Sequence, residues 1–420
     1  MGANIGFVSS RFAGSDGVTL EASKWANVLK ESGHERFWWG GEVQKDPARS
    51  MVVPEAHFNH PNNVWINQRA FGTDKRSTAV TDMIHASRAL LKGKLLDFLE
   101  RFQIDLLVVE NSLASPAHIP LGLALAEVIS ENQMPTIAHH HEFYWEQSRY
   151  TLNAVGDLLS MAFPPHLPTI QHVVINSAAQ EALAHRMGIS AFIIPNVLDF
   201  AHPPSPNPEK GRMLREKIGL DPEDKIVLQP SRVIRRKGIE HAMEVVKALK
   251  DPRYKLVITH EAGTEDKDYA QWLKLQAREH GVDVRYLGTH VVDPWAEVAP
   301  PNDHFSLFDL YPHADLITYP SLYEGFGNAF LEALYFRKPL VVNRYSTFIR
   351  DIEPLGFDLL IMDGYVNRRL VEKIRDVLQS PERRSRMVEH NYQVARRHFS
   401  YQVLRKRLSF LLLNFFGMEI

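Results

Sequence analysis

Short continuous apolar runs alternate with stretches of helical periodicity along the whole chain. In the first half, Asn4–Val8, Asp105–Val109, Pro135–Ala138, Val173–Asn176 and Phe192–Ile194 read as strands. Val18, Ala22, Trp25, Ala26 and Leu29 mark one face of an amphipathic helix among them. The second half repeats the rhythm with Ile226–Gln229, Lys255–Thr259, Val284–Leu287, Leu316–Tyr319, Leu340–Val342 and Leu359–Met362. Ile239, Ala242, Met243, Val246 and Leu249 form another apolar helix face. Continuous apolar strands separated by helices belong to parallel sheets covered on both sides. The pattern therefore predicts an α/β chain of two doubly wound, Rossmann-like domains facing across a cleft, with ligands at the strand C-terminal ends. A boundary falls at Pro195-Asn-Val-Leu-Asp199, before the proline-dense run Ala201 to Pro208. The expected domains are 1–198 and 199–399, with a terminal helix over 400–420 packing back on the first. The segment Asp46 to Arg76 shows little periodicity and reads as a loop over the cleft or a surface excursion.

Composition narrows the partners. The 420 residues are 45% hydrophobic and 23% charged, an ordinary soluble composition with ample core. Lys plus Arg number 48 and Asp plus Glu 50, so no basic excess points to nucleic acid. With no cysteine, disulfides, thiolate chemistry and cysteine-based zinc sites are excluded. No signal peptide and no apolar run of about 18 residues is seen, so the expected location is cytoplasmic. The tail Leu408–Phe416 behind Arg405-Lys-Arg407 has two readings, a packed terminal helix or an interfacial anchor.

The chemistry concentrates in Tyr319-Pro-Ser-Leu-Tyr-Glu324-Gly-Phe-Gly-Asn-Ala-Phe-Leu-Glu332. A buried strand, a glycine turn and a helix start make a nest of N–H groups at a positive dipole end, suited to a phosphate. Eight helical positions span roughly 12 Å, which would set Glu324 and Glu332 at opposite ends of a bound diphosphate. A second cluster, Ser231-Arg232-Val-Ile-Arg235-Arg236-Lys237-Gly238, gathers cations at a helix N-terminus, where the dipole disfavours them. A diphosphate would compensate them; a solvated basic turn is the bland alternative. The third, His139-His140-His141-Glu142, ends a strand. Neighbouring strand residues point to opposite faces, so the three histidines cannot share one metal, and a neutral histidine donating to a sugar hydroxyl fits better. Arg11 to Gly17, with Gly14 and Gly17, follows the first strand and brings backbone close to a ligand. Glu110-Asn111-Ser112 is a polar step that could face a second substrate. Asp266-Lys-Asp268 matches a metal-binding Asp-x-Asp pattern, but within the acidic run from Glu265 it reads as a helix start.

Taken together, these residues resemble the retaining glycosyltransferases of family 4, which have the GT-B fold. Glu324 to Glu332 matches the family's Glu-x7-Glu signature. Arg232 to Gly238 matches its Arg…Lys-Gly segment, with Ser231 in place of the usual glycine. Pro195-Asn196 resembles the interdomain Pro-Asn, and His141-Glu-Phe-Tyr-Trp a first-domain His-Asp-Phe-Trp-type segment. The resemblance implies a nucleotide-sugar-binding second domain and an acceptor-side first domain. Arg232 and Lys237 would neutralise the departing diphosphate, and Glu324 would hold the sugar hydroxyls. Gly325, Phe326 and Gly327 would cradle the donor, Glu332 would meet the ribose, and His141 would contact the donor sugar. Which of His139, His140 and His141 faces the donor stays open. Asn328 stands where an apolar residue is common, a harmless replacement if only its backbone acts. Asn343-Arg-Tyr-Ser-Thr-Phe348 replaces a glycine-rich stretch, which leaves donor choice open. The implied activity is metal-independent, retaining transfer of a hexose from a GDP-mannose or UDP-glucose type donor to a hydroxyl of a small molecule or saccharide, without cofactor or essential metal. The alternatives are a sugar phosphorylase of the same fold, a transferase serving a lipid at a membrane surface, and a non-catalytic nucleotide-sugar or glycan binder.

Overall fold

A computed structural model describes residues 2–14, 16–205, 207–260, 266–292 and 304–417. Of the segments discussed above, Ser15, Pro206, Glu265 and residues 418–420 lie outside the described residues. The chain divides into two compact units, Met1–Pro195 with Gln402–Ile420, and Asn196–Tyr401.

The first unit carries a seven-stranded sheet of β1 (Asn4–Val8), β2 (Glu35–Gly40), β3 (Ser50–Val52), β4 (Leu106–Glu110), β5 (Thr136–His140), β6 (Ile170–Val174) and β7 (Ala191–Ile193). Its order is β3-β2-β1-β4-β5-β6-β7, and all its pairings are parallel. Every residue of β4 and β5 is buried, as continuous apolar strands under two helical layers require. Residues 46–76 are more ordered than their sequence suggests. They hold the edge strand β3 and a helix, Pro61–Ala70, started by Pro61 and buried through Ile66 and Ala70. Asn63 and Asn67 both donate to the Ala117 carbonyl, at 2.8 and 2.9 Å. Local apolar periodicity is poor here because side-chain amides make part of the attachment.

The terminal helix, Tyr401–Phe416, buries Leu404, Leu408, Leu411 and Leu412. Its end is fastened where Gln171 donates to the Leu411 carbonyl at 2.9 Å and Asn414 donates back to Gln171. Among the described residues no helix is long and apolar enough to cross a membrane.

The second unit carries β8 (Lys225–Gln229), β9 (Tyr254–Ile258) and β10 (Val284–Tyr286), a minor parallel pair β11 (Val291–Val292) and β12 (Phe305–Ser306), then β13 (Leu316–Tyr319), β14 (Leu340–Asn343) and β15 (Leu360–Met362). The main sheet runs β10-β9-β8-β13-β14-β15. Helix Ile239–Leu249 covers one face with Ala242, Met243, Val246 and Leu249. In both sheets the strand order reverses beside the first strand, between β1 and β4 and between β8 and β13. Doubly wound folds bind ligands in the crevice at such a switch point, outside the strand C-termini. The fold thus directs attention to the segments after those four strands.

Candidate active site

In the second unit, the loops after β8 and β13 are joined by backbone: the Leu322 amide donates to the Arg236 carbonyl at 2.8 Å. The Arg235–Lys237 turn ends at Gly238, which has φ +58°. A Cβ there would come within 2.5 Å of the Pro320 carbonyl oxygen, so both the backbone angle and the close approach of the loops require glycine.

That approach creates a charge cluster. Glu324 accepts a 2.8 Å hydrogen bond from Arg236 and is also bonded by the Lys237 ammonium. The side chains of Glu324 and Lys237 are only 9% and 13% exposed. Burial pulls the Glu324 pKa up, but Lys237 and Arg236 outweigh it, and the net shift is downward. Burial lowers the Lys237 pKa more than Glu324 raises it. Arg232 is exposed, and Glu324 draws its described partners from Arg236 and Lys237. Arg236, a member of the basic cluster with no role assigned from the sequence, therefore stands in the centre of the site.

The glycine turn is braced from below. Tyr345 donates to the Phe326 carbonyl at 2.8 Å and Thr347 to the Glu324 carbonyl at 2.9 Å. Asn343 donates to the Ser321 carbonyl at 3.0 Å. The segment that replaces a glycine-rich stretch thus packs side chains under the turn. Gly327 has φ +110°, and a Cβ on it would meet the Tyr319 hydroxyl at 2.4 Å. Tyr319 is fully buried, and burial first and the nearby Glu324 carboxylate second push its hydroxyl pKa well above the usual value.

Helix Asn328–Tyr335 starts only after this turn. The separation of Glu324 from Glu332 is therefore not eight helical positions, and the 12 Å span expected from the sequence does not apply. Glu332 is buried and accepts from Tyr311 at 2.6 Å. The Asn328 Oδ1 accepts from Asn196 at 2.6 Å. Asp266 sits at the N-cap position of helix Lys267–His280 and accepts from the Arg235 amide at 3.3 Å.

In the first unit, strand alternation separates the three histidines. His140 faces His172, 2.9 Å between ring nitrogens, in a buried pair. His139 and His141 share the opposite side, with rings 4.3 Å apart. Both meet one oxygen: Glu110 Oε2 lies 3.0 Å from His139 Nδ1 and 3.0 Å from His141 Nε2. His139 is stacked on Trp25 at 4.2 Å. The three side chains place one ligand-type atom each within 4.8 Å of one another, a set that suits a cation as well as hydrogen bonds. Asn111, at φ +57°, accepts from the His141 amide at 3.1 Å.

Beside this cluster lies a cavity of about 260 Å³, lined by Ser9, Arg11, Asp16, Glu110, Asn111 and His118 among others. Asp16 caps helix Gly17–Glu31 and takes a 2.9 Å ion pair from Arg11. Gly17 is the first residue of that helix, while Gly14, at φ +72°, donates to Gln44 at 3.3 Å. His118 caps helix Ile119–Asn132 through Nδ1, and its Nε2 lies 2.8 Å from the Glu55 carbonyl. Burial lowers its pKa to about 4. The sequence held no signal for His118, because its second partner, the Glu55 carbonyl, lies 63 residues away and is set by the fold.

Comparison with known proteins places these features in context. The family model of glycosyl transferases of group 1 matches residues 212–394. The chain is 32% identical to the mannosylglucosylglycerate synthase of Thermotoga maritima, over 94% of this chain and 96% of that one. It is 30% identical to the mannosylglucosylglycerate synthase of Petrotoga mobilis, over 85% and 86%. Among solved structures, Anabaena HepE in complex with UDP and glucose aligns with a TM-score of 0.66 at 15% identity, over 98% of this chain and 100% of that one. Sucrose-phosphate synthase from Thermosynechococcus elongatus aligns with a TM-score of 0.66 at 14% identity, over 99% of both chains. At these identities the structural likeness speaks for the fold, the GT-B architecture of two Rossmann-like domains.

Proposed function

This chain belongs to the glycosyl transferases of group 1, and from that premise we propose that it moves a hexose from a nucleotide-diphosphate sugar to a hydroxyl of a small polyhydroxylated acid. The donor is of the GDP-mannose or UDP-glucose type and the acceptor is glucosylglycerate; a mannosyl donor gives mannosylglucosylglycerate and a glucosyl donor its diglucosyl counterpart. The observation that carries this reading is the 32% identity to a mannosylglucosylglycerate synthase along nearly the full length of both chains. The substrates come from that relative's name. The charge cluster at the β8–β13 switch point is compatible with them.

The proposed chemistry is electrostatic. The bond from the anomeric carbon to the diphosphate oxygen breaks, the bond to the acceptor oxygen forms, and the acceptor's proton goes to the departing phosphate. Negative charge grows on the diphosphate as this happens. Fixed cations stabilise it without reorganising at the moment of reaction. In our reading Lys237 and Arg232 supply that charge, the turn Gly325–Gly327 presents backbone N–H groups, and Glu324, released from Lys237 and Arg236, receives sugar hydroxyls. Glu332 meets the ribose and His141 the donor sugar. With the acceptor proton leaving on the same side as the phosphate, the configuration at the anomeric carbon is retained. We assign no divalent metal to the diphosphate, and we place the reaction in the cytoplasm.

The test is to incubate the protein with glucosylglycerate and, separately, GDP-mannose and UDP-glucose, with and without EDTA, and to identify products by mass and anomeric coupling. One donor should yield a two-sugar glycoside of glycerate, of retained configuration, that EDTA leaves unchanged. Transfer that stops with EDTA would end the metal-free version. No product with either donor would remove glucosylglycerate as the acceptor.

A further inference from the structure

Glu110 is the least explained charge in the first unit. It is the last residue of β4, completely buried, at the switch point of the sheet. Its backbone carbonyl accepts from the hydroxyls of Ser9 and Ser112, each at 3.2 Å. Its side chain is shared unequally. Oε2 meets both His139 and His141, while Oε1 is buried with no hydrogen-bond partner among the described residues. A buried carboxylate oxygen left unpaired is costly, and such groups in native structures call for an explanation. Glu110 also lines the 260 Å³ cavity, together with Ser9, Ser10, Asn111 and Ser112. The polar lining of the cavity suits a polyhydroxylated molecule.

We propose that Glu110 orients the acceptor: Oε2 fixes the His141 ring by taking its Nε2–H, and Oε1 accepts a hydrogen bond from a hydroxyl of a polyhydroxylated molecule seated in this cavity. The proposal rests on the transferase reading for the identity of that molecule, but not for the bond to His141. One carboxylate would then set the acceptor and the histidine in register. Burial pulls the Glu110 pKa up, but His139 and His141 outweigh it and hold the group at about 2. A carboxylate so weakly basic orients a hydroxyl without removing its proton, in keeping with proton release to the departing phosphate. The Asn111 bond to the His141 amide supports the same register from the backbone side.

Two measurements test this, one of which needs neither a variant nor turnover. Long-range proton–nitrogen spectra of histidine-labelled protein report tautomers directly. Near neutral pH, His141 should carry its proton on Nε2, and a proton on Nδ1 alone overturns the orienting bond. Calorimetric titration with glucosylglycerate then compares the wild type with Glu110→Gln, which keeps size and shape. Loss of a hydrogen bond to a charged group should weaken acceptor binding about 10- to 100-fold, while nucleoside-diphosphate affinity stays within about twofold. Acceptor affinity within about threefold of wild type overturns the assignment of Oε1, since that is less than one such bond contributes. Metal analysis of both proteins covers the other chemistry: a stoichiometric divalent cation lost in Glu110→Gln would make the trio a metal site and overturn the proposal. If the wild type transfers no sugar yet binds glucosylglycerate through Glu110, the transferase reading fails and the subsite stands. If transfer proceeds and Glu110→Gln keeps acceptor affinity, the subsite fails and the reading stands.

Discussion

The Glu324 carboxylate and its two cations show how one residue position can serve stability before it serves substrate. Without ligand, Arg236 and Lys237 are both committed to Glu324, while Arg232, exposed, is available to an incoming anion. The two arginines should therefore separate in their effects. Arg232→Ala is expected to weaken nucleoside-diphosphate binding about tenfold or more and to leave the melting temperature nearly unchanged, as for a surface charge removed. Arg236→Ala leaves a largely buried carboxylate with one partner fewer and should destabilise by about 1–3 kcal/mol. Binding by calorimetry and unfolding by differential scanning would distinguish them, and equal effects from both would contradict this division. Gly327→Ala is argued on steric grounds alone. Its Cβ would lie 2.4 Å from the Tyr319 hydroxyl at φ +110°, a backbone region that costs a non-glycine residue about 1–3 kcal/mol. We expect reduced stability together with a raised donor KM, because the turn itself must shift.

At the scale of elements, what could be read from the sequence was the set of buried strands. The runs at β1, β4, β8, β13 and β14 are apolar at successive positions, and both sheet faces are covered, so no alternation is needed to recognise them. β2 and β3 escape that logic. β2 opens with Glu35 and Arg36, and β3 has three residues at the sheet edge, so each offers only a short apolar run. The helix Pro61–Ala70 escapes for a different reason, its attachment through Asn63 and Asn67. The glycine turn and the basic cluster were legible as motifs because each is continuous in sequence. Their bracing was not: Tyr345 reaches back 19 residues to Phe326, and Glu110 reaches 31 to His141. Such partners are set by strand order rather than by local pattern. Tyr345→Phe tests whether the brace governs the site. It removes a 2.8 Å bond to a buried carbonyl while keeping the ring, a loss of about 1–3 kcal/mol. The donor KM should rise and the acceptor KM should hold. If both rise together, the brace serves general stability instead.

Across the whole molecule, buried histidines should make the first unit sensitive to acid. His118 and His172 are both buried there, and burial lowers the pKa of each from 6.5 to about 4. His140, against His172, is lowered as well, chiefly by its own burial. The sign follows from proton counting. Between about pH 6.5 and 4 the unfolded chain binds protons that the folded histidines refuse, so stability falls as the pH falls through that window and is fully present above it. By this linkage, His118 and His172 would each contribute a loss of about 2 kcal/mol at about pH 5. Glu110 adds a later loss with the same sign. Its folded pKa of about 2 lies below the ordinary 4.5, so its contribution disappears only as the pH falls from about 4.5 toward 2. His118→Asn separates these contributions, because asparagine can still cap helix Ile119–Asn132 but does not titrate. Denaturant unfolding of both proteins near pH 7 and near pH 5 should show a smaller acid penalty in the variant, by about 2 kcal/mol. An unchanged penalty would mean that His118 is protonated in the folded protein at that pH. Its ring could then no longer accept the Leu121 amide, and the start of the helix lining the cavity would be held by another group.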